Sequence, residues 1–383
     1  MSGTLGAADV PSASRVAGPT LSFAFNLEKV LGHGEDSDPI LRDGPDLGLT
    51  AVFDGMGGAG GTVYETADGP RTGAYLASRI ARTVVERRML DLLEPDWNLN
   101  GDATAVDLRR SVQAVLKDEL AALKAPPSGL RSRLLRALPT TMAMVALQRT
   151  QSGGSTWAAH VFWAGDSRAY AVEAGGVRQL STDDLRDPND AMENLSRDSV
   201  VSNAMSADTD FHVNYRRVEL EAPFLVVCAT DGCFGYLQTP MHFEQLMLAE
   251  LRDTRSSDAW SAALAARIAA ITGDDASISV LGVGAQFKGF QSLLAPRLDE
   301  IDQAFVRPLD DLAQAVVRAE NELEQARARE VDTTAEVWGR YKTGYERYLQ
   351  PQKVVDEDVD DPAVTALTAS AEAPAGDTAE ATP

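Results

Sequence analysis

Four short apolar runs in this chain meet an aspartate at one end. "LGLTAVF" (47–53) leads to Asp54, "WAAHVFWAG" (157–165) to Asp166 and "FLVVCAT" (224–230) to Asp231, while Asp274 and Asp275 precede "ASISVLGVG" (276–284). Each Asp-Gly taken singly is more often a turn than a site. The set says more: if the runs are strands of one sandwich with these ends on the same side, the carboxylates converge, and several unpaired carboxylates in one place need cations to be tolerable. Hard oxygen donors without a cysteine or histidine cluster favour Mg²⁺ or Mn²⁺ over zinc.

The loop after the first run, Gly55-Met56-Gly57-Gly58-Ala59-Gly60, also satisfies the bare G-x-G-x-x-G pattern of a dinucleotide site. Electrostatics argues against that reading. A pyrophosphate sits at the helix N-terminus where such a loop ends, and Asp54 would aim negative charge into it. A net charge of −22 over 383 residues disfavours a nucleic-acid backbone as partner. Cys228 and Cys233 are the only cysteines, too close and too isolated for a disulfide framework, which fits a reducing compartment. No stretch is long and apolar enough to cross a bilayer, and the first twenty residues lack the regions of a signal peptide, so a cytoplasmic location without membrane attachment is expected.

The elements that must position these carboxylates are strand-like runs, adding "TTMAMVAL" (140–147) and "RAYAVEA" (168–174), mixed with helical patterns at 72–93, 105–125, 241–253 and 259–272. Several strands follow one another with no helix between them, which rules out a regular βαβ winding. The expected class is α+β, an antiparallel β-sandwich with helices on both sides. Residues 1–20 read as a flexible lead-in and 21–287 as the catalytic domain. Residues 297–350 read as a coiled-coil-like helical extension, packing either on its own catalytic domain or on another chain, with apolar residues from Leu298 through Leu323 to Ala326 at three- and four-residue steps and a kink or break at Pro308. Residues 354–383, acidic and without a basic residue, read as a disordered tail.

The segments "GEDSD" (34–38), "VFDGMGG" (52–58), "TTMAMVAL", "GDSRAY" (165–170), "ATDGCFGYL" (229–237) and "GDDASISVL" (273–281) together resemble the metal-dependent protein phosphatases of type 2C, over about residues 21–287. That resemblance implies a serine/threonine phosphatase working through two Mn²⁺ or Mg²⁺ ions, with a third in bacterial members. It implies that Asp54 bridges two ions with the Gly55 carbonyl completing one, and that Asp231 and Asp274 hold the other. Asp274 takes the family's aspartate position, with Asp275 in place of an asparagine, although a one-residue shift remains open. Glu35 and Asp36 match an acidic pair that contacts metal-bound water, and Asp166 matches the support of the third ion. A water bridged by two cations is acidic enough to attack phosphorus near neutral pH.

Departures from the family pattern fall around the phosphate. Where members place an arginine this chain has Leu31, leaving Lys29 and Arg71, and also Arg42, as sources of positive charge; His33 is the candidate to protonate the leaving oxygen. The segment from Leu180 to Ala222 corresponds to the family's flap and is expected to set substrate choice. Expected partners are a phosphorylated protein, a cognate Ser/Thr kinase, and a second copy through residues 297–350. The alternative is a pseudophosphatase, a scaffold that recruits a kinase through its C-terminal helix.

Overall fold

The computed structural model describes residues 18–92, 99–123, 136–151, 153–187, 190–196 and 200–349. Twelve strands and eight helices are formed among them. The strands are β1 (Pro19–Leu27), β2 (Ile40–Asp43), β3 (Leu47–Val52), β4 (Val63–Thr66), β5 (Gly69–Thr72), β6 (Met142–Arg149), β7 (Thr156–Ala164), β8 (Arg168–Glu173), β9 (Gly176–Gln179), β10 (Asn214–Glu221), β11 (Phe224–Ala229) and β12 (Ala276–Val283). The helices are α1 (Gly57–Gly60), α2 (Gly73–Leu92), α3 (Gly101–Ala122), α4 (Ala191–Ser196), α5 (Pro240–Asp253), α6 (Ser257–Ala269), α7 (Phe287–Ile301) and α8 (Arg307–Tyr345).

Two five-stranded sheets, ordered β1-β12-β11-β8-β9 and β10-β7-β6-β3-β2, are antiparallel throughout, and β4-β5 forms a separate hairpin. The class is α+β, as the order of runs predicts. Side-chain alternation explains the layering. Along β6, Ala143, Val145 and Leu147 enter the cluster between the sheets, while Met142, Met144 and Ala146 enter the one formed with α2 and α3. Along β11, Phe224, Val226 and Cys228 face inward, while Leu225 and Val227 pack toward α5, α6 and α7. With both faces buried, these strands read as continuous apolar runs rather than alternating ones, which is why they stand out in the sequence.

Several strands are quieter in the sequence. β10 lies inside the segment expected to be a flap, and its "NYRRVELE" is mostly polar because it is an edge strand paired on one side with β7. β1 begins at Pro19, inside the stretch expected to be flexible; residues 1–17 lie outside the described residues, as do the acidic tail 354–383 and the last residues of the helix expected over 105–125.

The start of the C-terminal region packs into a core cluster of the domain. Leu298 and Ile301, grouped above with the extension, are buried with Phe290 and Leu294 of α7 against α5 and the β1-side sheet. A five-residue π-helical stretch, Asp302–Val306, follows α7, and α8 then carries Pro308 in its first turn, where no backbone donor is required. The chain divides into two units between Leu312 and Ala313. No described helix is long and apolar enough to cross a membrane.

Candidate active site

Antiparallel register brings the aspartates together. Val52 at the end of β3 pairs with Ala143 at the start of β6, and Met142 pairs with Ala164 at the end of β7. In the other sheet Ala229, ending β11, pairs with Ile278 near the start of β12 and with Arg168 at the start of β8. The residues just past these termini therefore share one end of the sandwich. Asp54, Asp166, Asp231 and Asp274 line a single cleft of about 570 Å³ there, with Glu35, Gly55, Met56 and Gly57 on one wall and Val200 and Val201 of the flap on another.

The local backbone is held by specific contacts. The Asp54 carbonyl accepts from Thr140 Oγ1 (2.6 Å) and from the Thr141 amide (2.8 Å). Gly165, before Asp166, has φ +103°, and a Cβ there would stand 2.6 Å from the Thr141 side chain, so the turn requires glycine. Gly232 is fixed by space alone, since a Cβ would come within 1.8 Å of the Asp275 carbonyl oxygen.

The adjacent aspartates 274 and 275 do different things. The Asp275 carboxylate accepts from the backbone amides of Lys29 (2.7 Å) and Glu35 (2.6 Å), tying the β1–β2 loop down, whereas Asp274 is exposed to the cleft. The end of β5 and the first turns of α2 clamp the same loop. Thr72 accepts from the Tyr75 amide and donates to Glu35 Oε1 (2.6 Å), Ser78 donates to the Glu35 carbonyl (2.5 Å), and Arg79 donates to the Gly34 carbonyl (3.1 Å). The Arg79 guanidinium lies 3.5 Å from the Tyr75 ring centroid and that of Arg71 lies 4.3 Å from it. None of Thr72, Ser78 and Arg79 was singled out in the sequence, though Tyr75 and Arg79, four residues apart on α2, share one helical face and could have been.

Electrostatics marks the cleft as a place built for positive charge. Burial, reinforced by Asp231, Asp36, Asp166 and Asp274, raises the Asp54 carboxyl well above its usual range. Burial likewise pushes Asp166 up to about 8 and Asp231 to about 6, with neighbouring carboxylates adding to each. Asp36 does not line the cleft; it is buried beneath it, accepts from Thr230 Oγ1 (2.9 Å) and is pushed by burial up to about 7. Glu35 is raised by burial despite its bond from Thr72. Among the described residues no lysine or arginine lines the cleft. The donor set, all oxygen and mutually repelling, suits divalent hard cations. Among the described residues the carboxylates line a cleft and do not form a closed cage of three or more around one point.

The expected phosphate contacts do not reach it. Leu31 is 91% exposed at the loop tip, Lys29 and His33 are exposed beside it, and none of the three lines the cleft. The loop that bears them turns at Gly32, with φ +79°. Arg71 spends one guanidinium nitrogen on the Gly32 carbonyl (2.6 Å), and Arg42 pairs with Glu86. Both cysteines are buried, and burial pushes Cys228 up to about 12 and Cys233 well above its usual value, so packing is the role the structure gives them.

The flap is tied to this end of the sandwich. Asp184 accepts from the Gly165 amide and from the side chains of Asn203 (2.7 Å) and Asn214 (2.8 Å), and Asp183 forms a buried two-bond pair with Arg168 (2.9 and 2.7 Å). Leu185, Val201 and Ala204 pack together with Met56 against them, two residues from Asp54.

The clamp makes a prediction. Arg79→Ala should lower kcat/KM about tenfold, the lower end of what partners of ligating residues contribute, with Arg79→Lys recovering only part of it, because a point charge cannot replace the forked donor. Leu31→Arg should change it less than about twofold, since the position faces solvent. Steady-state kinetics on the three variants checks both, and a large gain from Leu31→Arg would show that the loop folds back over the cleft.

A sequence profile of the family described as protein phosphatase 2C matches residues 38–271. The match contains Asp54, Asp166 and Asp231; Glu35, Asp36 and Asp274 fall outside it and are brought to the site by the fold. No curated protein sequence matches the chain. Among solved structures, the chain is similar to a C. elegans sex determining protein at 14% identity, with a TM-score of 0.52 over 72% of this chain and 67% of that one. It is also similar to the serine/threonine phosphatase PstP/Ppp of Mycobacterium tuberculosis at 17% identity, with a TM-score of 0.48 over 70% of this chain and all of that one. At these identities the likeness concerns the fold.

Proposed function

The chain belongs to the protein phosphatase 2C family and is a phosphoprotein phosphatase, and from that premise we propose that it hydrolyses phosphoserine and phosphothreonine with two divalent cations, Mn²⁺ or Mg²⁺, held by the cleft carboxylates. The observation that carries the reading is the convergence of Asp54, Asp166, Asp231 and Asp274 from four separate sequence segments on one cleft devoid of basic side chains among the described residues. Members of this family are metal-dependent. When bound, the cations supply a lowered pKa for water and neutralise the phosphoryl oxygens.

The roles of the chain's own residues follow from their places. Asp54, central to the set, and Asp231 and Asp274 on the opposite sheet would hold the ions, with the Gly55 carbonyl beside Asp54 as a further oxygen donor. Glu35, steadied by Thr72, and Asp36, steadied by Thr230, are proposed to orient water, and Asp166 to support a third ion. Gly57 keeps that region open, since a Cβ there would stand 1.9 Å from Glu35 Oε2. Met56 and Val201 make an apolar rim beside the carboxylates, which restricts water at that edge. Phosphate binding then leans on the cations. The complete carboxylate set gives the scaffold alternative no support.

The test is direct. After exhaustive chelation the full-length protein should hydrolyse neither an aryl phosphate nor phosphothreonine peptides, and added Mn²⁺ or Mg²⁺ should restore both, with phosphotyrosine peptides at least about tenfold slower. Undiminished turnover in chelator, or a preference for phosphotyrosine, would overturn the reading.

A further inference from the structure

Helix α8 runs for 39 residues, Arg307–Tyr345, and none of its residues is buried. At about 1.5 Å per residue it is nearly 60 Å long. Its sequence does not suit solvent on every side. Leu312 (65% exposed), Val316, Leu323, Val331, Trp338, Tyr341 and Tyr345 fall on one face, and the three aromatic rings cluster at centroid distances of 5.6 to 6.3 Å. An isolated helix has no reason to hold such a stripe against water, so the stripe asks for an occupant.

The pattern along the stripe identifies it. From Leu312 to Ala326 the seam steps by four and three residues, as it does again from Val331 to Tyr345, with Thr334 as the one polar member. The two halves are offset by one residue at their junction, where Arg327 and Glu330 sit on the same face, four residues from Leu323 and Val331 and from Ala326 and Thr334. The halves differ in kind: the first is wholly aliphatic, and the second carries the three aromatic rings.

We propose that two copies of this chain associate through α8 as an antiparallel helix pair whose twofold axis passes between Ala328 and Arg329. In that register Ala319 of one copy faces Trp338 of the other, Val316 faces Tyr341, Leu312 faces Tyr345 and Ala326 faces Val331, so every aromatic ring meets an aliphatic side chain, while Leu323 faces Thr334. Arg327 of each copy faces Glu330 of the other, twice about the axis. A parallel pair in register would set Trp338 on Trp338 and Ala319 on Ala319, and would oppose Arg327 to Arg327 and Glu330 to Glu330. Like charges at the seam disfavour that arrangement. The antiparallel pairing is isologous and closes on itself, which stops growth at a dimer. Three aromatic and six aliphatic side chains from each copy are enough for roughly the 800 Å² that one partner contributes to a standard interface.

Sedimentation equilibrium on the full-length chain should therefore report twice the chain mass. Arg327→Glu and Glu330→Arg should each weaken the dimer by about tenfold or more, and the double swap should return it to near wild type, with helicity by circular dichroism unchanged throughout. Orientation is read separately. Ala326→Cys mixed with Val331→Cys should give a disulfide-linked dimer under mild oxidation, while neither variant alone does, both native cysteines being buried. A monomeric wild type at micromolar concentration, single charge variants without effect, or cross-linking of either cysteine variant with itself would each overturn the proposal.

Discussion

Asp54→Asn and Asp231→Asn are each expected to lower kcat/KM by at least about 100-fold while making the metal-free protein more stable. Outer partners of metal ligands already contribute 10- to 100-fold, so removing a ligand charge should cost no less. The stability gain has a separate origin. Without cations, Asp54 is buried among Asp231, Asp36, Asp166 and Asp274, and its ionised form is opposed both by lost hydration and by like charge. Asparagine keeps the shape and removes the repulsion. For a domain of this size each kcal/mol relieved raises Tm by roughly 2–4 °C. Differential scanning calorimetry in chelator, beside kinetics at saturating Mn²⁺, reads the two effects independently. Asparagine variants that lose activity and stability together would mean that Asp54 and Asp231 hold the fold and not the ions.

The metal-free protein should also lose stability as pH rises, contrary to the usual behaviour of carboxylates in salt bridges. Asp231, Asp36 and Asp166 have carboxyls raised by burial to about 6, 7 and 8, above the 3.8 of an ordinary aspartate. Between the unfolded and folded values the native state binds more protons than the unfolded chain, so stability falls with increasing pH. The contribution of these groups is fully present below about pH 4 and is lost as pH rises through 6 to 8. Divalent cations bind the deprotonated carboxylates, so the Tm increment from Mg²⁺ or Mn²⁺ should grow over the same interval. Thermal melts at several pH values, with chelator and with metal, check this. A metal-free Tm that rises from pH 5 to 8, or an increment independent of pH, would contradict a cleft of mutually repelling carboxylates.

Much of the site is legible without coordinates, for a reason that lies in the strands. β3, β7, β11 and β12 are buried on both faces, so each reads as an apolar run, and a charged residue at its end is conspicuous. The sequence by itself thus determined the α+β class, most of the central strands and the helices α2, α5 and α6, and which aspartates to consider. Edge elements escaped it. β10 pairs on one side only and carries four charged residues in eight, so no local signal separates it from a loop.

What only the tertiary structure decided is which groups meet. The choice between Asp274 and Asp275 cannot be read from adjacent identical residues; it depends on Lys29 and Glu35, more than 200 positions away, whose amides occupy Asp275 and leave Asp274 facing the cleft. Leu31, His33 and Lys29 sit close in sequence to Glu35 and Asp36, yet they lie exposed on a loop that turns at Gly32. Proximity along the chain suggested that they line the cleft, and only the fold shows the loop that carries them standing outside it. In α8 the reverse holds: the helical repeat alone orders the seam, because in a helix sequence spacing and spatial position are the same information.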